Sequence, residues 1–330
     1  MAKNKRSKSV VSFFEIIVVA TMSSGKSTLI NSMLGKELLH CANEATTATI
    51  TRIHNKDQQN NFNGSAYNFE PIKSNEKARL KFLDYKSVID SETLKKWNAD
   101  NNINYISLTG NIPSIKNSSK HIVLYDSPGP NNSQDNTHQD LTLNLVSDGR
   151  YGMIIYVLNA TQIGINDDKL FLSQISQVLK NDKHKNIIFI LNKADVLDEE
   201  KGEDIEIFVR NIASYLKNIG FINPTIIPVS ALSALNARKA LNKEPLTRFE
   251  RNLLQQNIHN LDDNRLIRAS YNISDEVKIM SLPNTEKKDM SITIKDGLEI
   301  SKNKIDQLIY FSGIPLLENI INHKFQETIL

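Results

Sequence analysis

Short apolar runs recur along this chain and stop at small or polar residues. Runs at 16–20, 121–126, 152–158, 186–192 and 225–230 are rich in β-branched side chains and read as buried strands. Amphipathic stretches stand between them. Residues 27–34 predict a helix that Gly35 closes at its C-cap, and 167–179 predict a second. Residues 246–266 and 298–311 also read as helices, and a break marked by Gly313 and Pro315 introduces a last one. Its apolar positions Leu316, Leu317, Ile320 and Ile321 are expected to pack on the sheet. Residues 46–53 alternate Thr and Ala with Ile, so a strand entered from a polar loop is expected. Residues 74–97 read as a helix with Leu80, Leu83, Val88 and Leu94 on one side and Trp97 as a packing anchor. Strands alternating with helices predict an α/β fold, a mainly parallel sheet with helices on both faces.

Two long polar regions, about 54–120 and 236–297, exceed what that alternation needs and read as insertions. The organisation expected is a basic flexible tail at 1–12, then one enlarged domain over 13–330 with 313–330 as its closing helix. A hydrophobic fraction of 40% in 330 residues supports a sizeable core. The net charge of +3 argues for neither a nucleic-acid nor an anionic-membrane partner. A single cysteine, Cys41, excludes an intrachain disulfide and suits a reducing compartment, so a cytoplasmic location is expected. Lys3, Lys5, Arg6 and Lys8 before an apolar run resemble a secretion signal on the surface. Glu15 interrupts that run and its end is needed by the motif that follows, so the signal reading is rejected. No apolar run approaches the ~18–20 residues of a membrane-spanning helix.

The run at 16–20 leads into Thr-Met-Ser23-Ser24-Gly25-Lys26-Ser27-Thr28 and then a helix. Strand, small-residue loop and helix is the context of a phosphate-binding P-loop, with Ala20 where the first glycine usually stands. Backbone N–H groups of such a loop and of the helix N-terminus favour an anion at one spot. Lys26 adds a cation for the β- and γ-phosphates, and the Ser27 hydroxyl suits Mg²⁺. The strand at 121–126 ends in Asp126-Ser-Pro-Gly129, which offers a carboxylate for the metal, through water, and a Gly129 N–H for the γ-phosphate. Thr47, with Thr46 as the alternative, stands where a switch loop supplies a hydroxyl to Mg²⁺ and a carbonyl to the attacking water. Asn192-Lys193-Ala-Asp195 ends another strand. Asp195 can accept two hydrogen bonds from guanine, a pattern that adenine does not offer. Asn192 orients the loop, the Lys193 stem covers the base, and a backbone N–H at Ser230–Ala231 is placed to reach guanine O6.

These strings, with Thr-Thr-Ala at 46–48 and Pro228-Val-Ser230, resemble the bacterial dynamin-like proteins, closest to the clamp-binding type, over residues ~10–235. The resemblance implies a GTPase head of a dynamin-type G domain. It further implies GTP and GDP as ligands, a homodimer across the nucleotide face, and K⁺ bound at the position of Ser23 in place of an arginine finger. Met22 stands where eukaryotic dynamins carry glutamine. A helical stalk or a partner protein is expected outside this chain, and the chain by itself supports neither membrane nor DNA association. The reaction expected is attack of water on the γ-phosphate of Mg²⁺-GTP, with Ser23, Lys26, Thr47 and Gly129 as the catalytic set. A slow nucleotide switch that serves a partner within a multi-protein system is the alternative.

Overall fold

A computed structural model describes residues 12–21, 23–40, 49–70, 79–128, 136–147, 151–163, 166–180, 186–260, 264–279, 290–294 and 299–328. Residues 1–11 of the basic tail and Cys41 lie outside the described residues. Nine strands form the main sheet: β1 Ser12–Ala20, β2 Ile50–Asn55, β3 Asn63–Glu70, β4 Arg79–Lys86, β5 Tyr105–Gly110, β6 Lys120–Asp126, β7 Met153–Asn159, β8 Asn186–Asn192 and β9 Thr225–Val229. The helices are α1 Lys26–Leu34, α2 Ser91–Ala99, α3 Asn136–Ser147, α4 Asn166–Leu179, α5 Ile205–Ile219, α6 Ala231–Leu241, α7 Arg248–His259, α8 Arg265–Arg268, α9 Asp275–Ile279, α10 Lys302–Phe311 and α11 Ile314–Glu327. A small ribbon pairs β10 Ser291–Thr293 with β11 Glu299–Ser301.

The sheet order is β4-β3-β5-β2-β6-β1-β7-β8-β9. Pairs β6–β1, β1–β7, β7–β8 and β8–β9 are parallel, as is β2–β5, whereas β2–β6, β3–β5 and β3–β4 are antiparallel. The register pairs Val18 with Asp126, Ala20 with Val157, Asn159 with Asn192 and Asn192 with Val229. The C-terminal ends of five parallel strands therefore share one rim, the edge where open α/β sheets present their loops.

One apolar layer joins Ile16, Val18, Ile155 and Ile190 to α1, α6, α11 and Trp97 of α2. The other joins Ile17, Val19, Ile154 and Phe189 to α4 and α5. Alternate residues of β1 thus enter opposite layers, which requires helices on both faces. Leu316, Leu317, Ile320 and Ile321 of α11 are buried in the first layer, as their spacing predicts. Gly313 caps α11 at φ 77°, where a side chain would collide with Pro228 O. Arg238 of α6 makes a bidentate ion pair with the buried Glu318 of α11, 2.6 and 2.8 Å, and also donates to Ser32 O of α1 at 2.7 Å.

The described part of the helix expected at 74–97, residues 79–97, is not one helix. Its first half is β4, the sheet's edge strand, with Leu80 and Leu83 exposed, and only residues 91–99 are helical. Aromatics at Phe82 and Tyr85 among alternating charges suit a strand paired with β3, a choice that a helical count of leucines overlooks. Asp90 caps α2 by accepting from Thr93 N–H, and Trp97 is buried as the anchor expected. The helices expected at 246–266 and 298–311 are trimmed to α7 and α10, the latter preceded by β11. No helix among the described residues is long and apolar enough to cross a membrane.

Candidate functional site

The loop from β1 to α1 reverses through two left-handed residues, Ser23 at φ 59° and Gly25 at φ 83°. At Gly25 a Cβ would overlap Asn192 Nδ2, so both the backbone angle and the close approach call for glycine. Ser24 is buried and its hydroxyl donates to Thr21 O at 2.9 Å. Lys26, Ser27 and Thr28 form the first turn of α1 and are half-buried, while Ser23 is exposed. The Lys26 ammonium is ion-paired with Asp126 at the end of β6. Ser27, the next residue of α1, brings a hydroxyl to the same first helical turn as Lys26. Hard oxygen donors of this kind fit Mg²⁺. Thr47, Thr46, Met22 and Gly129 lie outside the described residues.

Asn192 bridges the loop after β1 and the start of α6. Its Nδ2 donates to Ser24 O at 2.9 Å and its Oδ1 accepts from Ala231 N–H at 3.1 Å, tying the phosphate loop to the start of α6. Lys193, at φ 62°, donates from Nζ to Ser23 O at 2.9 Å, so its stem crosses between the base loop and the phosphate loop. Ser230 N–H donates to Ser312 O at 2.9 Å. The N–H groups of Ser230 and Ala231, one of which was expected to reach guanine O6, are thus both engaged within the chain, that of Ala231 by Asn192. Asp195 sits in a short 3₁₀ turn, Ala194–Val196. Asp195 keeps an exposed surface, yet partial desolvation of its carboxyl group pushes the pKa above the ordinary value, with Ser230 and the charges of Arg265 and Lys193 opposing that.

Three side chains join this site without a motif to announce them. Asn159 at the end of β7 donates to Ser23 O at 3.2 Å and accepts from Thr161 N–H at 3.0 Å. It is the register partner of Asn192, and an Asn closing each of two apolar runs was the available signal. Asp168 of α4 is buried. It accepts from Tyr156 OH at 2.8 Å and from the Thr21 hydroxyl at 3.4 Å, which anchors the phosphate loop to the opposite layer. Burial raises the Asp168 pKa, with those hydrogen bonds working against it, and burial also holds the Tyr156 phenol far above its usual value. Thr142 of α3 donates to Pro128 O at 2.8 Å and so ties α3 to the loop after β6.

Comparison with known proteins agrees with this geometry. An uncharacterised protein from the xynA 3′ region of Caldicellulosiruptor sp. (strain Rt8B.4) is 26% identical over 260 residues, 73% of this chain and 56% of that protein. A probable transmembrane GTPase, FZO-like and chloroplastic, from Arabidopsis thaliana is 28% identical over 226 residues, 68% of this chain and 20% of that one. This chain therefore spans about half the length of the first relative and a fifth of the second. Among solved structures, one member of an oligomerised bacterial dynamin pair superposes with a TM-score of 0.47 at 20% identity, over 78% of this chain and 39% of its own. The family model for the dynamin family matches residues 16–194, more than half of the chain. With that match running from β1 to just past the end of β8, this chain belongs to the dynamin family of GTPases.

Proposed function

We propose that this chain binds Mg²⁺-GTP at the rim formed by β1, β6, β7, β8 and β9 and hydrolyses it to GDP and phosphate. The observation that supports the reading is the Lys26–Asp126 ion pair at one end of the rim, together with the bonds from Asn192 and Lys193 to Ser24 O and Ser23 O that strap the loop after β8 to the loop after β1. Water attacks the γ-phosphorus in line as the bond to the β-phosphate oxygen breaks. Such reactions depend on positioning and on neutralising charge rather than on a strong general base. Loop N–H groups and Lys26 neutralise the charge that develops on the phosphate oxygens. Lys26 exchanges its pairing with Asp126 for the phosphates. When bound, magnesium draws charge from the β- and γ-oxygens, and Ser27, Asp126 and Thr47 are the residues that would hold it. The Gly129 N–H and the Thr47 carbonyl complete the γ-phosphate side, and the Asp195 carboxylate selects guanine. Ser23, exposed beside the phosphate loop, is the position proposed for K⁺.

Titration calorimetry with GDP and GTP in magnesium buffer, alongside phosphate release, tests the reading. Lys26→Ala is expected to lower nucleotide affinity by at least about a hundred-fold, the worth of charged hydrogen bonds made in a dry site. Unchanged GTP turnover in that variant would remove the phosphate loop from the mechanism.

A further inference from the structure

At the end of the sheet opposite the nucleotide rim, the first residues of β8 and β9 border a cavity of about 790 Å³. Small-molecule sites span about 300–1,000 Å³. The last turn of α4, the turn from α5 to β9, α9 and the C-terminal half of α11 supply the other walls. Those walls are aliphatic, formed by Leu179, Ile187, Ile188, Ile273, Val277 and Ile320, and joined by the phenyl group of Phe221. Ile188 and Ile320 belong to the first apolar layer and Phe221 to the second, so the cavity is a gap where the two layers meet at the edge strand β9. Protein interiors are packed as densely as organic crystals, and a gap of this size stands out against that.

The polar groups around it are unequally served. Asn272 donates to Asn223 O at 3.0 Å and to Thr225 Oγ1 at 3.4 Å. Ser176 of α4 also lines the cavity and is 3% exposed, yet its hydroxyl has no hydrogen-bond partner among the described residues. A buried polar group without a partner calls for an explanation. Lys180 stands one turn further along the same face of the chain, its N–H on Ser176 O at 3.1 Å. His323 and Lys324 of α11 face the cavity too, and Glu327 pairs with them at 3.4 and 2.8 Å. No carboxylate lines the cavity among the described residues.

We propose that this cavity binds a long-chain aliphatic carboxylate, with the hydrocarbon along the aliphatic walls and the carboxylate at Ser176, Lys180 and Lys324. Walls of isoleucine, leucine and valine suit a flexible hydrocarbon, whereas a planar ring gains most from stacked aromatic partners. Two lysines and no lining acid favour an anion. The Ser176 hydroxyl has a proton to give, and an ionised carboxylate only accepts. No residue of this cavity belongs to the phosphate or base loops, so the proposal stands apart from the nucleotide reading.

Calorimetric titration of the full chain with dodecanoate, decanoate and decanol, each below its micelle concentration, tests it. Dodecanoate is expected to bind saturably, one per chain. Decanoate is expected to bind about ten- to fifteen-fold more weakly, because two methylenes fewer are buried. Decanol should fall a further three- to ten-fold or so below decanoate, the effect of losing a charged hydrogen bond. The double variant Lys180→Gln with Lys324→Gln should close the gap between decanoate and decanol by weakening decanoate alone. Val277→Trp fills the cavity from the short helix α9 and is expected to abolish dodecanoate binding. An unfolding midpoint close to that of the wild type shows each variant to be folded. Non-saturating uptake, equal affinity for decanoate and decanol, or dodecanoate binding unchanged in folded Val277→Trp overturns the proposal. Failure of the wild type to bind any of the three also overturns it. A dimer that Val277→Trp then disrupts would give the cavity to a second copy of the chain.

Discussion

Asp195 concentrates the residue-scale argument, because its ionisation state and its ligand are coupled. Partial desolvation raises its carboxyl group above an ordinary aspartate, with Ser230 and the nearby positive charges opposing that. In the proposed base site guanine would give two protons to this group and so would need it ionised. As pH falls toward the raised pKa, the carboxyl protonates and loses an acceptor. The GDP-over-ADP preference is therefore expected to decline on acidification from a pH above the ordinary aspartate value of 3.8. Asp195→Asn removes that limb. It is expected to weaken GDP by about ten- to a hundred-fold, the worth of hydrogen bonds to a charged group. The amide can donate to the 2-oxo group of xanthine, so XDP binding should rise in the same variant. Calorimetry across pH 4 to 8 with the three nucleotides reads all of this. An unaltered pH profile in Asp195→Asn would show that another group titrates.

At the scale of elements, the site is held by contacts between helices that lie far apart in sequence. The Arg238–Glu318 pair joins α6 to α11 and reaches the C-terminal turn of α1 through Ser32 O. The Arg238 and Glu318 side chains are 12% and 3% exposed, so removing one partner leaves a buried charge unpaired. Glu318→Ala is expected to cost about 3–5 kcal/mol, whereas Arg238→Met with Glu318→Leu should recover most of the loss. Urea unfolding of both variants checks this, and a single-variant cost below about 1 kcal/mol would show that the pair is dispensable. Neither residue is marked in the sequence, since a pairing across 80 positions has no periodic signature. Strands β1, β6, β7, β8 and β9 were legible because both faces are buried, which forces unbroken apolar runs ending at the motif loops. β4 was not. An edge strand exposed on both faces carries leucines among charges, and counting leucines in that mixture suggests a helix. Asn159 was missed for a third reason: its role depends on the Asn159–Asn192 register, which exists only once the sheet has formed.

For the whole molecule, the consequence of this layout is directional. The phosphate loop is fixed from inside the protein, by Asp168 through Thr21 and by Asn159, Asn192 and Lys193 through the carbonyls of Ser23 and Ser24. Ser23 in this loop is exposed. A second copy meeting this rim would exclude water from the γ-phosphate side without disturbing the straps behind it. Exclusion of water would strengthen the field of Lys26, and that of the monovalent cation proposed at Ser23, in the step where charge shifts. Pairing across the rim is then favoured by the transition state over GDP alone. The expected outcome is a dimer of about twice 37.3 kDa in light scattering with GDP–AlF₄⁻, and a monomer with GDP. GTP turnover per chain should rise with protein concentration and be higher in K⁺ than in Na⁺. Ser23→Ala should reduce the K⁺ advantage while GDP affinity stays within about three-fold, since the serine hydroxyl makes no phosphate contact in this scheme. Turnover per chain that stays constant from nanomolar to micromolar protein, with no dimer in the transition-state mimic, would leave a slow switch acting as a single copy. Pairing across the nucleotide face would then be withdrawn, with the base and phosphate sites untouched.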